Sequence, residues 1–366
     1  MQVKFLDLQT VNQSYGQALV EAATQTIHSG WYLLGKQTEA FEGEWGDYCQ
    51  MPHAVGVGNG LDALRLVLLA WKTMYHWQDD DEVIVPANTF IATPLAVSQA
   101  GLRPVFCDVN LADALIRTDA DYLDTLLTPR TRCIIPVHLY GQLANLAVIY
   151  QFAGQHGLQV LEDACQAHGA RSLYNNNVRT CAYSFYPGKN LGALGDGGCV
   201  TTHDAQLAQL VRQLANYGQT RKYVHNYQGI NSRLDELQAA ILRVKLRRLD
   251  ADNHRRQQIA AYYASELPGN QPQAVLDGTH VYHIYPYLCA GRTELQTQLT
   301  KAGIQTLIHY PVPCHQQRAY ADESCKVFPA AEYWCTHELS LPISPVLTDE
   351  QAQYVVKTIQ QVSAEI

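Results

Sequence analysis

The sequence has little that would take the protein into a membrane or onto nucleic acid. Nowhere do eighteen apolar residues run together, and residues 1–8 hold no basic segment followed by an apolar block. We therefore predict neither a membrane span nor an export signal, and we expect a cytoplasmic location. Lysine and arginine total 26 against 34 acidic residues, the net charge is −8, and no long basic run occurs. This charge distribution predicts no nucleic-acid partner.

Signatures of disulfides and of metal sites are also missing. The ten cysteines contain no Cys-x-x-Cys pair. In a chain of this length without an export signal we expect them to be reduced thiols. His280 with His283, and His309 with His315, lack the neighbouring acids and cysteines of a metal site, so we predict no catalytic metal.

The central part of the chain alternates short apolar runs with segments of helical length. Strands are predicted at 83–85, 104–109, 133–139, 158–162 and 182–186. Helices are predicted at 61–74, 93–99, 143–153, 236–249, 255–267, 292–302 and 349–363. This succession favours an α/β fold with a mainly parallel sheet that is covered on both faces. A change of composition near residue 250 predicts a large α/β domain at 1–250 and a smaller α+β domain at 251–366.

A glycine cluster at 56–60 precedes the predicted helix at 61–74. Glycines allow a close backbone approach, and the free amides and dipole of a helix start attract phosphate, so the cluster could form a phosphate cradle. A tight turn that serves only packing explains it equally well. A dinucleotide fingerprint would need a third glycine at Leu61, and its absence counts against a nicotinamide-dependent oxidoreductase.

Two individual residues, Asp163 and Lys189, are candidates for reactive groups if their surroundings support that role. Asp163 ends a predicted strand, where open α/β sheets place ligands, and its carboxylate could pair with a protonated ring nitrogen. A surface acid or a helix cap is the plainer explanation for a lone aspartate. Lys189 lies in an aromatic, glycine-rich segment at 184–198. Desolvation there would leave a neutral amine that can form a Schiff base, whereas an ordinary lysine is a solvated charge.

Taken together, the motifs resemble the DegT/DnrJ/EryC1/StrS family of sugar aminotransferases, in the right order over nearly the whole chain. The matching segments are 60–64 (GLDAL), 86–90 (PANTF), 136–141 (PVHLYG), 162–169 (EDACQAHG), 184–198 (SFYPGKNLGALGDGG), 231–240 (NSRLDELQAA) and 309–313 (HYPVP). The resemblance implies pyridoxal 5′-phosphate as cofactor and the aspartate-aminotransferase-like fold, known as fold type I. It also implies a homodimer with active sites at the subunit interface.

The resemblance further assigns roles to individual residues. Lys189 matches the Schiff-base lysine, Asp163 the partner of the pyridine nitrogen, and Gln166 the donor to the phenolic oxygen. The remaining cofactor positions are the ring-stacking Phe90, the phosphate-binding Gly60, Leu61 and Ser184, and Asn231, which reaches the phosphate from the other subunit. Asp62, beside the phosphate-binding residues, is also counted among the cofactor positions. Many relatives have threonine at the position of Leu61, so a hydroxyl contact is lost there.

Further residues inside or beside these motifs are candidates for binding the sugar. They are Tyr32, Tyr186, His225 and Tyr310. A packing tyrosine or a plain loop histidine explains Tyr186 and His225 about as well, and the same holds for a core histidine at His168.

Within the family, segments 29–35 (SGWYLLG) and 231–240 are similar to enzymes that aminate C3 of dTDP-3-oxo-6-deoxyhexoses with L-glutamate as donor. The products would be dTDP-3-amino-3,6-dideoxyhexoses for polysaccharides such as O-antigen or for glycosylated metabolites. C4 amination of a dTDP- or UDP-4-keto sugar is the near alternative. A non-catalytic cofactor-binding or regulatory protein would be expected to lose Lys189.

Overall fold

The structure is a computed structural model that describes residues 1–172, 174, 178–268 and 275–365. Its strands are β1 His53–Val57, β2 Glu82–Pro86, β3 Arg103–Cys107, β4 Thr131–Ile134, β5 Gln159–Val160, β6 Glu162–Asp163, β7 Thr180–Ser184, β8 Gly198–Thr202, β9 Gln219–Arg221, β10 Val224–His225, β11 Tyr285–Leu288 and β12 Glu338–Leu341.

The helices surround these strands along the whole chain. They are α1 Leu8–Gln13, α2 Ala18–Ser29, α3 Lys36–Cys49, α4 Gly60–Met74, α5 Ala92–Gln99, α6 Ala120–Asp124, α7 Leu146–His156, α8 Ala205–Ala215, α9 Glu236–Leu246, α10 Leu249–Glu266, α11 Arg292–Lys301, α12 Pro329–His337 and α13 Asp349–Glu365. None of the described helices combines the length and the apolar character needed to cross a lipid bilayer.

Two four-stranded sheets form the centre of the large region, and they meet at consecutive strands. One has the order β3-β2-β4-β5 and is parallel throughout. The other has the order β1-β8-β7-β6, in which β8 runs antiparallel to both of its neighbours. A single residue, Leu161, separates β5 from β6, so the two sheets continue into one another. The α/β fold with a mainly parallel sheet is thereby confirmed.

Helix α4 lies in the main hydrophobic core because most of its side chains are apolar, and its polar residues Asp62, Arg65, Lys72 and Thr73 are confined to one narrow side. Leu64, Leu66 and Leu68 are fully buried, and the helix contacts α5, α8 and strands β7 and β8. Asn59 caps it, since its side-chain oxygen accepts a 2.8 Å hydrogen bond from the backbone N–H of Asp62. The cap fixes the start of α4 directly beside the carboxyl end of the sheet.

The predicted strand at 133–139 is too long. Strand β4 ends at Ile134, and residues 139–141 form a 3-10 helix. The apolar pattern continues past the strand because Ile135, Val137 and Leu139 are buried in the core without regular pairing. Strands β1 and β8 and helices α1 to α3 were not predicted, although each helps to frame the site.

The C-terminal region has its own core around the two-stranded sheet of β11 and β12. Buried residues of α10, α11 and α13 pack there, together with Val3 from the start of the chain. Helix α10 begins at Leu249, where the composition changes. The division of the chain at 250 remains a prediction.

Candidate active site

Lys189 lies in the loop that follows β7, at the carboxyl edge of the sheet. Its backbone N–H donates a 2.8 Å hydrogen bond to the carbonyl of Tyr186, which closes a tight turn. Burial lowers the pKa of the amine, while the charges of Cys165 and Asp163 act in the opposite direction. Burial prevails, so the neutral amine is available at a lower pH than in an ordinary lysine.

Asp163 ends β6, and its carboxylate is held from both sides. The hydroxyl of Thr93 donates to Oδ2 at 2.7 Å, and the backbone N–H of Cys165 donates to Oδ1 at 3.2 Å. The hydroxyls of Thr89 and Thr93 are 2.9 Å apart. Each oxygen keeps a free lone pair, so the oriented carboxylate can still accept a hydrogen bond from a protonated ring nitrogen.

Gln166 is connected to a tyrosine that comes from a distant part of the chain. Its Oε1 atom accepts a 2.7 Å hydrogen bond from the backbone N–H of Tyr140, and its Nε2 atom donates to the hydroxyl of Tyr310 at 3.1 Å. The ring of Tyr310 lies 5.5 Å from that of Phe90. Phe90 is about half exposed, so its ring remains free to stack on a ligand.

The start of α4 and the end of β7 make a close approach that only glycine permits. A Cβ atom at Gly60 would lie 2.6 Å from the Cβ atom of Ser184. The amides of Gly60 and Leu61 open the helix beside the Ser184 hydroxyl, and this arrangement of donors suits a phosphate group. The carboxylate of Asp62 is already engaged by Arg65, whose NH2 atom is 3.0 Å away.

The groups described so far fit pyridoxal 5′-phosphate. A neutral lysine amine, a carboxylate that could pair with the ring nitrogen and an amide donor belong to one site, and the amides and hydroxyl at Gly60 and Ser184 would suit its phosphate. The ring of Phe90 supplies an aromatic surface. The contacts therefore bring Asp163, Gln166, Phe90 and Tyr310 together, as the sequence predicts.

Three of the predicted site residues have no contact with this group within one subunit. Asn231 is exposed and pairs with Asn216. The Nδ1 atom of His225 contacts the carbonyl of Tyr217 at 2.9 Å, and Tyr32 is more than half exposed. Their roles remain predictions that depend on a second subunit.

The two segments that resemble C3-aminating enzymes lie against each other. The carboxylate of Glu236 accepts hydrogen bonds from the backbone N–H groups of Gly35, Gln37 and Thr38. The backbone N–H of Glu236 in turn donates to the carbonyl of Tyr32 at 3.0 Å. The segments at 29–35 and 231–240 therefore form one unit on the surface.

Several residues of the site were not predicted from the sequence. Thr93 orients Asp163, and Asn190 contacts the Nδ1 atom of His283 at 3.1 Å. Burial, followed by the charge of Lys189, lowers the pKa of both His283 and His309. Of these residues, Asn190 and His309 lie in the motifs at 184–198 and 309–313. Thr93 and His283 lie outside them, because a threonine in an apolar helix or an isolated histidine carries no such signal.

Comparison with known proteins gives a consistent result. The model of the DegT/DnrJ/EryC1/StrS aminotransferase family matches residues 13–360. The chain is 47% identical to the erythromycin biosynthesis sensory transduction protein EryC1 of Saccharopolyspora erythraea, covering 98% of this chain and 99% of the relative. It is 42% identical to the dTDP-3-amino-3,6-dideoxy-alpha-D-galactopyranose transaminase of Aneurinibacillus thermoaerophilus, covering 98% and 99%.

A solved structure is also similar to this chain over its whole length. The crystal structure of S. venezuelae DesV in complex with a ketimine intermediate superposes with a TM-score of 0.94 at 42% identity. The alignment covers 100% of this chain and 99% of that chain. The fold of this chain therefore has a counterpart of known structure.

Proposed function

Because the chain belongs to the DegT/DnrJ/EryC1/StrS aminotransferase family, we propose that it aminates C3 of a dTDP-3-oxo-6-deoxyhexose. The product is the corresponding dTDP-3-amino-3,6-dideoxyhexose, and L-glutamate is the amino donor. The enzyme is a pyridoxal-phosphate-dependent transaminase of nucleotide-linked keto sugars with the fold of type I. The observation that carries the proposal is a desolvated Lys189 beside an oriented Asp163 at the carboxyl edge of the sheet.

When bound, the cofactor would supply an electron sink for the substrate carbanion and an aldehyde carbon that can carry the amino group between the two substrates. Lys189 contributes the amine that binds the cofactor and that moves a proton at the substrate carbon, since desolvation favours its neutral form. Asp163 holds a proton at the ring nitrogen of the cofactor. Its bonds to Thr93 and Cys165 keep the carboxylate in position for that task.

The other end of the site orients the cofactor. The amides of Gly60 and Leu61 and the hydroxyl of Ser184 bind the phosphate, because they combine free donors with the positive end of the α4 dipole. The backbone amide of Leu61 makes the contact that its side chain cannot. Gln166 donates to the phenolic oxygen, and Phe90 covers one face of the ring.

The sugar position is inferred from the similarity of the chain to C3-aminating enzymes. A relative that is 42% identical over nearly its whole length is named a dTDP-3-amino-3,6-dideoxy-alpha-D-galactopyranose transaminase. Glu236 also binds segment 29–35 to segment 231–240, the two stretches that are similar to C3-aminating enzymes. We place Tyr32, Tyr186, His225 and Tyr310 around the sugar. C4 amination is the competing outcome of the test below.

We also propose a homodimer with shared sites. The segment at 31–34 exposes Trp31, Tyr32, Leu33 and Leu34, each at 40% or more of its surface. Such a contiguous apolar patch is typical of a protein interface. A partner that covers it would bring its own Asn231 toward the phosphate site. We further propose that the enzyme acts in the cytoplasm and that its product feeds polysaccharides such as O-antigen.

Incubation with glutamate and single keto-sugar isomers tests the proposal. The dTDP-3-oxo-6-deoxyhexose should be aminated at C3, and NMR of the product locates the new C–N bond. The 4-oxo isomer should react at least about a hundredfold more slowly, because the wrong arrangement of hydroxyl and ketone leaves polar groups unpaired. Equal or faster turnover of the 4-oxo isomer would make the C3 assignment wrong. The absence of any glutamate-dependent amination would contradict the transaminase activity itself.

A further inference from the structure

A chain of hydrogen bonds runs from the buried Glu338 to the imidazole ring of His309. Glu338 begins β12 and is fully buried. Its Oε1 atom is hydrogen-bonded to the hydroxyl of Ser340, and that hydroxyl lies 2.7 Å from Nδ1 of His309. The Oε2 atom accepts a 2.8 Å hydrogen bond from the backbone N–H of His309. Both carboxyl oxygens of Glu338 are therefore connected to His309, one directly to its backbone N–H and one through Ser340 to its ring.

His309 has a free ring nitrogen close to the reactive lysine. Burial, followed by the charge of Lys189, lowers the pKa of His309 to about 4, so the ring is neutral at physiological pH. The hydroxyl of Tyr140 donates a 2.7 Å hydrogen bond to its carbonyl, which fixes the backbone beside Tyr310. Among the described residues, Nε2 has no hydrogen-bond partner. This nitrogen is consequently the end of the chain that a substrate can reach.

A neutral imidazole carries one N–H, so the partner of Nδ1 decides which nitrogen bears the proton. When Glu338 is protonated, it donates to Ser340, whose hydroxyl donates to Nδ1 of His309. Nε2 then carries the proton and is a donor. When Glu338 is ionised, the hydroxyl of Ser340 turns toward the carboxylate and accepts from Nδ1. Nε2 then has only a lone pair and is an acceptor.

The surroundings of Glu338 favour the protonated form at neutral pH. Burial raises the pKa of Glu338 to about 8, against the hydrogen bonds from Ser340 and His309 and the charge of Arg292. Titratable or charged groups face it from the packed elements: Tyr140, Cys289, Arg292, His309, Tyr310 and Cys335. Among these described neighbours, Arg292 is the one that carries a charge at neutral pH.

We propose that Glu338, acting through Ser340, is a positioning residue that keeps His309 as an Nε2–H donor toward the sugar, and that this donor is lost when Glu338 ionises. Ketone and hydroxyl oxygens of a keto sugar accept hydrogen bonds, so a donor at this nitrogen suits the substrate. The identity of that substrate rests on the function proposed above. The state of the histidine ring does not, because it is set by protein groups alone.

The Glu338→Gln variant is the sharpest test, because glutamine reproduces the protonated acid. Its carbonyl accepts from the backbone N–H of His309, and its NH2 group donates to Ser340. At pH 7 we expect kcat/KM within about twofold of the native value. One pH unit above its pKa, only about a tenth of a group remains protonated. The native enzyme should therefore lose about tenfold in kcat/KM between pH 7 and pH 9 through this group, and Glu338→Gln should not.

Two further variants test this result, one inside the hydrogen-bond chain and one outside it. Ser340→Ala breaks the chain and should lower kcat/KM at pH 7 by about tenfold, as expected for loss of an oriented hydrogen bond to the reacting substrate. Ser344→Ala removes a buried serine hydroxyl four residues further along, outside the chain, and should follow the native profile. Parallel pH profiles for the native enzyme and Glu338→Gln would overturn the proposal.

Nitrogen NMR of the cofactor-loaded enzyme with 15N-labelled histidine gives a readout that does not depend on turnover. The signals of His309, identified by their absence in His309→Gln, should report a proton on Nε2 at pH 7 and on Nδ1 at pH 9. In Glu338→Gln the proton should stay on Nε2 at both values. A proton on Nδ1 at pH 7 in the native enzyme would overturn the proposal. If the sugar tests fail while the NMR result holds, the proposed function is wrong and the ring switch stands.

Discussion

The hydroxyl of Thr93 donates a 2.7 Å hydrogen bond to Oδ2 of Asp163, and both residues are buried. Removing one hydrogen bond to a charged group costs about 1.5–3 kcal/mol. The Thr93→Val variant keeps the shape of the side chain but loses the donor, and Asp163 is then free to turn away from the ring nitrogen. We expect kcat/KM to fall by about tenfold or more, measured at saturating cofactor.

Two controls separate orientation from packing in this experiment. Thr93→Ser keeps the hydroxyl and should stay within about threefold of the native value. Thr73→Val removes an exposed hydroxyl of α4 that donates to the carbonyl of Leu69, and it should leave the kinetics unchanged. If Thr93→Val were as active as Thr93→Ser, the hydrogen bond would have no role in positioning Asp163.

Asp163 and Asp62 both lie near the cofactor site, but only Asp163 is proposed to keep the ring nitrogen protonated. Asp163→Asn should lower kcat by at least about a hundredfold, the lower range for loss of a proton-holding group. Asp62→Asn should change kcat by no more than about twofold, because the carboxylate of Asp62 is already engaged by Arg65. Similar rates for the two variants would contradict the assigned role.

The local pattern singles out Lys189, because it stands among glycines and aromatic residues. The role proposed for Asp163 depends on the family resemblance as well, since a surface acid or a helix cap is the plainer explanation for a lone aspartate at a strand end. Gln166, Phe90 and Tyr310 required the family resemblance, since each is ordinary in isolation. Their convergence depends on packing of segments that are more than a hundred residues apart in the chain.

Other features depend on contacts that local patterns do not encode. Thr93 looks like a polar residue in a short helix until the fold places it beside Asp163. The strand predicted at 133–139 was too long because burial, which produces the apolar pattern, continues after β4 ends at Ile134, beyond which Val137 forms an isolated bridge to Asp163. Glu338 gives no sign of its role in the sequence, since the groups around it come from three other parts of the chain, at Tyr140, 289–292 and 309–310.

A buried ion pair behind the sheet gives a prediction about stability. Glu162 is fully buried and accepts two hydrogen bonds from Arg179, at 2.8 and 2.7 Å, with His138 3.0 Å away. Breaking such a pair leaves an uncompensated buried charge and costs about 3–5 kcal/mol. Arg179→Met should therefore lower the free energy of unfolding by about 3 kcal/mol. Lys4→Met, at the exposed pair with Asp7, should change it by less than about 1 kcal/mol.

The same pair predicts how stability depends on pH. Burial raises the pKa of Glu162, but Arg179 and then His138 outweigh it, so the pKa lies well below its usual range. A carboxyl group whose folded pKa is lowered stabilises the protein above its unfolded pKa and loses that contribution as the pH falls. The free energy of unfolding should decrease from about pH 5 downward. In Glu162→Gln this part of the decrease should be absent. If the free energy of unfolding of Glu162→Gln falls with pH as steeply as that of the native protein, the role of Glu162 is contradicted.

The shared-site dimer predicts rescue by subunit mixing. Lys189→Ala and Asn231→Ala should each be nearly inactive or cofactor-deficient alone. A hybrid dimer has one site in which both residues are intact, so random mixing should restore about a quarter of the native activity. Activity that never exceeds the mean of the two variants would show that each site uses its own Asn231. Sedimentation at assay concentration checks that the mixture is dimeric.

The proposed activity depends most directly on the attachment of the cofactor to Lys189. Lys245 is the matched competitor, because it too is buried, with a pKa that burial lowers to about 8 and with Nζ bonded to the carbonyl of Gly192. Borohydride reduction of the cofactor-loaded enzyme, followed by peptide mass mapping, should place the pyridoxyl label on Lys189, and Lys189→Ala should lose both the label and turnover while keeping its fold. A label on Lys245 or on any other lysine in the native enzyme would contradict the assignment.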